Sequence, residues 1–322
     1  MTLKVSCDFS HIPVLYEETL QGLHIKPDGL YVDCTMGGAG HSAGILERLD
    51  EGGMLLAIDQ DEDALAAGGA RLAACKSRGT YLLIKGNFRN IGELLAVHSI
   101  TAVDGILADL GVSSHQLDEG ERGFSYSQDG PLDMRMDQSG VLTAADLVNL
   151  KSAAELTRIF SEYGEERYSR RIAEAIVRRR RKTPFERTGD LSDVIRHAMP
   201  AKARRENQHP AKRVFQALRI AVNGELTSLT ELLDQVPELL KCGGRLAIIS
   251  FHSLEDRLVK HRYQKWEDPC ECPSGLPCVC GLQPLGHRVG PKRGYTAASA
   301  EANVNPRARS ARLRVFERTA TK

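Results

Sequence analysis

The residue pattern that holds the most chemistry is a carboxylate followed by a glycine-rich turn. Asp33 ends a short apolar run at 30–32, and Gly37, Gly38 and Gly40 follow it. Glycine allows a sharp turn with no Cβ in the way of a ligand, and a helix start beyond it presents unpaired N–H groups. A strand, a glycine turn and a helix in this order are typical of a nucleotide-binding α/β sheet. We therefore predict Asp33 and Gly37 to be among the ligand-binding residues.

Three further residues lie at or just beyond the ends of predicted strands, namely Asp59, Phe88 and Asp109. Asp59 follows Gly40 at close to the spacing at which an acid reaches a ribose in such folds. Ligands of doubly wound sheets bind at the carboxyl ends of the strands. We therefore expect these side chains to surround the same ligand as the glycine turn.

Two classes of ligand fit a glycine turn with an acid on the second strand. Gly38-Ala39-Gly40 with Ala43 fits the Gly-x-Gly-x-x-Ala pattern of nicotinamide dinucleotide sites. Asp33, however, stands where its charge would repel a pyrophosphate, and it suits a ligand with an ammonium group, such as S-adenosylmethionine. No second nucleotide-binding half follows the fourth strand. The sequence favours S-adenosylmethionine over a dinucleotide.

Asp109 follows the fourth strand, where a transferred group would meet its acceptor. An exocyclic amine, such as that of cytosine, is a poor nucleophile because its lone pair is delocalised into the ring. A carboxylate that accepts the amine hydrogens favours attack by the nitrogen, and alignment with the methyl group contributes more. Cys34 is an alternative nucleophile, but a lone cysteine after a buried strand is better explained as a core residue. We predict Asp109 to be the catalytic residue.

The elements that position these residues alternate between strand and helix up to Asp109, which predicts a doubly wound parallel sheet. A helical pattern then replaces this order until a further strand at 246–251. In a last run at 311–317, apolar and polar residues alternate as in an antiparallel edge strand. We predict a Rossmann-like core formed by residues 1–117 and 222–322, interrupted by an inserted all-helical domain at 118–221.

Positive charge is concentrated in the predicted insertion. Residues 151–220 hold 18 Lys and Arg against 9 Asp and Glu, a net charge of +9, whereas the whole chain carries +1. A basic segment in an otherwise acidic chain favours a polyanionic partner; the alternative is a solvated helical face. The candidate phosphate-binding residues are Arg178, Arg179, Arg180, Arg181 and Arg213.

Cysteine use is equally uneven, since four of the eight cysteines lie between positions 270 and 280. The four are Cys270, Cys272, Cys278 and Cys280. Four close thiolates suit a structural zinc site, and the alternative is a loop of reduced cysteines. The residues around His252 are of the types found in hydrolytic sites, but a role of His252 as a helix N-cap explains them better.

Several motifs together resemble the bacterial 16S ribosomal RNA (cytosine-N4)-methyltransferases, the MraW/RsmH family. The resemblance covers nearly the whole chain in order. It is carried by the segments 11–15 (HIPVL), 33–42 (DCTMGGAGHS), 109–118 (DLGVSSHQLD), 123–125 (GFS), 131–136 (PLDMRM), 213–223 (RVFQALRIAVN) and 249–257 (ISFHSLEDR).

The resemblance implies an S-adenosylmethionine-dependent fold and methylation of a cytosine N4 amine in the decoding region of 16S rRNA, in the cytoplasm. It also implies which residues contact the cofactor. Ala39 departs from the glycine that many relatives have there, and alanine disfavours positive φ; His115 stands where proline is frequent. The implied cofactor contacts are Ala39, Gly40, His41, Asp59, Phe88, Asp109 and Gln116.

Two rival functions remain open from the sequence. One is a non-catalytic RNA-binding factor for ribosome assembly that keeps the fold, and the other is a dinucleotide-dependent oxidoreductase. No apolar run of membrane-spanning length is present, so we expect a soluble protein whose partner is the small ribosomal subunit. Both a monomer and a homodimer agree with the sequence.

Overall fold

The structure is a computed structural model that describes residues 13–202, 209–273 and 279–319. The chain divides into two compact units. The first comprises Met1–Gly111 and Leu226–Lys322, and the second comprises Val112–Glu225. No helix in the described part of the chain combines the length and apolar character needed to cross a membrane.

Thirteen α-helices and eight strands are found among the described residues. The helices are α1 (Tyr16–Leu23), α2 (Gly40–Leu46), α3 (Glu62–Ala73), α4 (Ile91–Val97), α5 (Ser114–Asp118), α6 (Ala144–Leu150), α7 (Ala153–Glu162), α8 (Ser169–Arg180), α9 (Thr188–Ala198), α10 (Lys212–Asn223), α11 (Glu225–Leu239), α12 (Ser253–Glu267) and α13 (Ser299–Val304). The strands are β1 (Leu30–Asp33), β2 (Met54–Asp59), β3 (Thr80–Lys85), β4 (Val103–Asp109), β5 (Leu240–Ser250), β6 (Gly286–Val289), β7 (Tyr295–Thr296) and β8 (Arg312–Arg318).

The first unit is built on one sheet with the strand order β3-β2-β1-β4-β5-β8-β6, and β7 pairs with β8. Strands β1 to β5 are parallel, whereas β8 runs antiparallel to both β5 and β6. Asp33 is in register with Ala57 of β2 and with Leu107 of β4. The carboxyl ends of β1, β2 and β4 therefore meet at one edge of the sheet.

Both faces of the sheet are covered, which explains why its central strands are apolar along nearly their whole length. Successive side chains of a strand point to opposite faces. In β2, Leu56 and Ile58 pack with the helices α4, α11 and α12, whereas Leu55 and Ala57 pack with α1, α2 and α3. The predicted doubly wound sheet is confirmed.

One prediction about the sheet is wrong. Strand β8 is antiparallel, as its alternating sequence indicates, but it lies inside the sheet between β5 and β6 and is not an edge strand. Its neighbours β6 and β7 are only four and two residues long and carry polar side chains. Short polar strands have no sequence periodicity that would reveal them.

The second unit is helical and has its own apolar core. Phe160, Ile172, Phe185 and Leu218 are among the residues buried there. Two of its helices start at hydroxyl caps, since Thr143 before α6 and Ser152 before α7 both form capping boxes. In a capping box the side chain of the cap residue and that of the third helical residue each accept a backbone N–H.

Candidate active site

The loop after β1 is closed by Asp33, whose side chain is only 1% exposed. Its Oδ1 atom accepts the N–H of Thr35 at 3.1 Å, and its Oδ2 atom accepts the hydroxyl of Ser42 at 2.6 Å. The carboxylate thus ties the exit of β1 to the first turn of α2. Burial raises its pKa to about 6, against the effect of both hydrogen bonds. Contact of Asp33 with a ligand stays a prediction, because both oxygens are engaged inside the loop.

The turn between Asp33 and α2 uses left-handed backbone at two positions. Gly37 has φ of +50°, and Ala39, the residue before α2, has φ of +54°. For a residue with a Cβ this conformation costs about 1–2 kcal/mol. Ala39 is fully buried, so the surrounding packing offsets the strain. At Gly40 a Cβ would lie 2.3 Å from Cγ of Pro13, so glycine is required where the two segments touch.

Asp59, at the end of β2, holds the same turn from the other side. Its Oδ2 atom accepts the N–H of Gly37 at 2.8 Å, and its Oδ1 atom accepts the N–H of Asp61 at 2.9 Å. Burial raises the pKa of Asp59 to about 6. Because a carboxylate oxygen has two acceptor positions, these bonds leave room for a donor from a ligand.

Asp109 ends β4 beside this turn. Its backbone N–H donates to Oγ1 of Thr35 at 2.6 Å, which fixes the strand end against the loop. The side chain is 26% exposed, but its Oδ1 atom is buried and accepts no hydrogen bond from any described residue. Burial raises the pKa of Asp109 well above its usual range, and the charges of Asp33 and Glu255 act in the same direction. A buried acceptor without a hydrogen bond favours a ligand that supplies a hydrogen-bond donor or a positive charge.

His41, in the first turn of α2, faces Asp109. Its Nδ1 atom lies 3.6 Å from Oδ2 of Asp109, and its Nε2 atom lies 3.1 Å from the carbonyl oxygen of Val14. A carbonyl only accepts, so Nε2 carries the proton and Nδ1 presents its lone pair in the neutral ring. Burial lowers the pKa of His41 to about 4, so the ring is neutral near pH 7. The pair is therefore no salt bridge at that pH.

Phe88 starts a 3-10 turn, Phe88–Asn90, and two residues separate it from the end of β3. Its ring is partly buried and packs against the edge of the core on the α4 side. The preceding Asn87 caps the turn by accepting the N–H of Arg89, and its Nδ2 donates to Gln60 at 2.9 Å, beyond the end of β2. The ends of β2 and β3 are thereby joined, and Phe88 is held at the edge predicted for it.

Gln116 belongs to the second unit. It forms a capping box with Ser113 at the start of α5, in which its Oε1 atom accepts the N–H of Ser113 at 3.0 Å. The side chain is buried. Its contact with a cofactor stays a prediction.

The arginine run of α8 separates into two pairs. Arg178 and Arg181 are exposed, and neither side chain has a hydrogen-bond or ion-pair partner among the described residues. Arg180 donates to the carbonyls of Val148 and Lys151 at 2.6 Å each and so caps the end of α6.

Arg179 is engaged too, but with the segment that follows α8. Its guanidinium lies 4.8 Å from the ring centre of Phe185 and 3.5 Å from the carboxylate of Asp190. Arg213, on α10, is exposed and donates to the carbonyl of Glu165 at 3.1 Å. Arg178 and Arg181 are thus the members of the run most available to a polyanion.

Sequence reasoning missed three residues that organise the site. Thr35 accepts the N–H of Asp109, Ser42 donates to Asp33, and Glu255 is a buried acid whose charge raises the pKa of Asp109. Thr35 and Ser42 lie inside the glycine-rich motif, and that position was the sequence feature that could have identified them. Glu255 accepts the N–H of Phe251 at 2.9 Å and also that of His252 at 3.3 Å. The second bond belongs to the capping box that His252 and Glu255 form before α12, so the predicted cap at His252 is confirmed.

The cysteines differ in their surroundings. Cys34 is buried in the core, and burial raises the pKa of its thiol well above its usual range. A neutral buried thiol is a poor nucleophile, which agrees with the core interpretation. The Sγ atoms of Cys270, Cys272 and Cys280 lie within 4.8 Å of one another. Cys278, the fourth predicted ligand, lies outside the described residues.

Comparison with known proteins gives a consistent result. The sequence profile of the MraW methylase family matches residues 8–319. The chain is 53% identical over 307 residues to the ribosomal RNA small subunit methyltransferase H of Symbiobacterium thermophilum, covering 95% of this chain and 96% of that protein. It is 53% identical over 312 residues to the protein of the same name from Acetivibrio thermocellus, covering 97% and 99%. The corresponding values for Brevibacillus brevis are 50% over 311 residues, 96% and 98%.

Proposed function

This chain belongs to the MraW methylase family, and we propose that it transfers a methyl group from S-adenosylmethionine to the exocyclic N4 amine of a cytosine in the decoding region of 16S rRNA. Relatives that are about half identical over nearly the whole chain are named as small-subunit rRNA methyltransferases. The small ribosomal subunit is therefore the proposed partner, and the cytoplasm is the proposed location.

The observation that best supports the proposal is the environment of the Asp109 side chain. Its Oδ1 atom is buried without a hydrogen-bond donor among the described residues, beside a glycine turn and at the carboxyl end of β4. S-adenosylmethionine fits this edge, since it brings an ammonium group and a methyl group on a positively charged sulfur. A positive charge near Asp109 lowers its pKa and favours the ionised carboxylate.

The residues around the turn have separate roles in this proposal. The turn from Gly37 to His41, held by Asp33 and Asp59, provides the backbone surface that binds the cofactor. Asp59 accepts hydrogen bonds from ribose hydroxyls, and Phe88 packs on the adenine. Because Asp59 already binds two backbone N–H groups, its position is fixed before a ligand arrives.

Asp109 is the proposed catalytic residue. Its carboxylate accepts the hydrogens of the N4 amine, orients the nitrogen lone pair towards the methyl group, and takes up the proton that the nitrogen loses on methylation. His41 presents a lone pair to Asp109 and not a proton, so it does not neutralise that carboxylate near pH 7. No covalent intermediate on the protein is required.

The inserted segment 118–221 is the proposed RNA-recognition domain. Arg178 and Arg181 project from the end of α8 without partners among the described residues, and exposed arginines bind phosphates without sequence preference. Arg179, Arg180 and Arg213 make contacts inside the unit, so their proposed contribution to RNA binding is smaller.

The direct test incubates the protein with radiolabelled S-adenosylmethionine and 30S subunits from cells that lack the gene. We expect label in 16S rRNA, at a cytosine that mass spectrometry identifies as N4-methylated. Cofactor binding without label would overturn the proposal in favour of a non-catalytic assembly factor. Binding of NAD but not of S-adenosylmethionine would favour an oxidoreductase.

A further inference from the structure

A group of three cysteines lies in the connection between α12 and β6. The base of this connection is closed by a hydrogen bond from the N–H of Leu285 to the carbonyl of Trp266 at 2.8 Å. Next to it, Nε of Arg288 donates to the carboxylate of Glu267 at 2.7 Å. The connection thus begins at the end of α12 and ends at the start of β6, at one fixed place.

The arrangement of the sulfur atoms fits a metal site. The Sγ atoms of Cys270, Cys272 and Cys280 all lie within 4.8 Å of one another. Thiolates that bind one zinc tetrahedrally at about 2.3 Å lie about 3.8 Å apart. Only a small inward movement of the side chains separates the two arrangements.

A backbone donor already points at one of the sulfurs. The N–H of Val279 donates to Sγ of Cys272 at 3.4 Å. This hydrogen bond joins the Cys272 side of the cluster to the backbone next to Cys280.

Core packing does not explain these cysteines. Cys270 is exposed, and Cys272 and Cys280 are only partly buried, whereas Cys34 in the sheet is fully buried. Three thiols kept close together at a surface are therefore suited to bind something other than apolar neighbours.

We propose that Cys270, Cys272 and Cys280 bind one Zn²⁺ ion as thiolates, in a structural site that fixes the connection between α12 and β6. Three sulfurs leave one tetrahedral position for a fourth ligand. The site is separate from methyl transfer, since none of these residues lies at the strand ends that carry the proposed chemistry. The test of zinc binding can therefore fail or succeed independently of the proposed function.

The test uses the full-length protein, expressed with zinc in the medium and purified under reducing conditions without chelators. We expect about one equivalent of zinc per chain by mass spectrometry of the metal. After exchange with Co²⁺, we expect the visible bands of a tetrahedral site together with sulfur-to-cobalt charge-transfer bands. The intensity of the latter reports the number of bound thiolates, and we expect three.

Two variants and one matched control locate the site. Cys270→Ser and Cys272→Ser should lose most of the bound zinc, and in each the charge-transfer intensity per cobalt should fall. Cys242→Ser is the control, because Cys242 is an exposed cysteine of the same unit outside the cluster; its zinc content should equal that of the original protein. Circular dichroism identifies a variant that fails to fold, and the cobalt spectrum of the unaltered protein tests the proposal without any substitution.

Three results would overturn the proposal. The first is reduced, folded protein that holds no zinc and gives no charge-transfer band with Co²⁺. The second is equal zinc retention in Cys272→Ser and Cys242→Ser. The third is a disulfide among the three cysteines that persists in protein purified under reducing conditions, which would assign the cluster to redox chemistry.

Discussion

The Nδ1 atom of His41 lies 3.6 Å from Oδ2 of Asp109, and the opposite ring nitrogen lies 3.1 Å from the carbonyl of Val14. The carbonyl fixes the proton on Nε2, so a lone pair faces the carboxyl group. The two side chains at the proposed reaction centre are thus kept from forming a salt bridge near pH 7. The tautomer of His41 is set by a residue outside the glycine-rich motif.

Replacing Asp109 should separate catalysis from binding. We expect Asp109→Ala to reduce methyl transfer at least about 100-fold, the usual contribution of a positioned acid or base, while binding of rRNA stays unchanged. Asp109→Asn keeps an oxygen acceptor but takes up no proton. Activity in the asparagine variant well above that of the alanine variant would show that orientation of the amine contributes more than proton uptake.

Single-turnover transfer of labelled methyl groups measures the first quantity, and filter binding of the RNA measures the second. Full turnover in Asp109→Ala would remove Asp109 from the reaction centre. Thr35→Val is a useful companion, because it deletes the acceptor of the Asp109 N–H at 2.6 Å without changing a charge; its activity should lie between those of the original protein and Asp109→Ala.

The low pKa of His41 predicts a pH dependence of stability. Its folded pKa of about 4 lies below the ordinary value of 6.5. Between these values the unfolded chain binds a proton that the folded chain does not, so stability is lost as the pH falls from 6.5 towards 4. The full difference corresponds to about 3 kcal/mol. His41→Gln, which does not titrate, should not show this loss.

Urea unfolding of the two proteins between pH 7.5 and 4.5 measures the effect as the change in their difference with pH. Asp33 and Asp59 act in the opposite direction, because their raised pKa of about 6 makes the folded state gain stability as the pH falls through 6. Both proteins contain these acids, so their contributions cancel. A difference that stays constant across this range would contradict the assignment of a neutral, buried His41.

The arginine run should respond unevenly to substitution. We expect Arg178→Glu combined with Arg181→Glu to weaken rRNA binding and to reduce the slope of log K against log salt by about 1–2, since each lost phosphate contact removes about 0.7–0.9. Folding should be unaffected. Arg180→Ala should instead destabilise the protein by about 1–2 kcal/mol, because two carbonyls at the end of α6 lose their donor.

The matched control is Lys76→Glu combined with Arg78→Glu. It changes the net charge by the same amount as the arginine double variant. Both residues are exposed and precede β3, whereas Phe88 lies beyond the other end of that strand. Equal loss of RNA affinity in both double variants would mean that only overall charge matters. An unchanged salt slope in the variant of Arg178 and Arg181 would mean that these arginines belong to a solvated surface and do not contact RNA.

Ala39 should tolerate glycine but not a branched side chain. In Ala39→Gly, relief of the left-handed backbone is offset by the loss of a buried methyl group, so we expect a change in stability below about 1 kcal/mol. Ala39→Val places a β-branched residue at φ of +54° in a filled core, and we expect it to destabilise by more than about 2 kcal/mol. Thermal unfolding compares both with the original protein. Equal stability of the two variants would show that the turn adopts another backbone conformation in solution.

The sequence by itself determined the features that depend on neighbouring residues. Apolar runs separated by helical segments specify parallel strands, and such strands place the residues that follow them at one edge, so Asp33, Asp59 and Asp109 were predictable together. The caps at Thr143, Ser152 and His252 were predictable too, because a capping box involves only four consecutive residues.

Tertiary structure decided what depends on residues far apart in the chain. Four consecutive arginines look alike in sequence, yet Arg180 binds the carbonyl of Val148, 32 positions earlier, while Arg178 stays exposed. Asp33 and Asp109 both end strands, but Ser42 and Thr35 donate hydrogen bonds to the first, whereas Oδ1 of the second keeps no partner among the described residues. The interior place of β8 likewise follows from pairing with β6. Each of these depends on packing between distant segments, to which local patterns are insensitive.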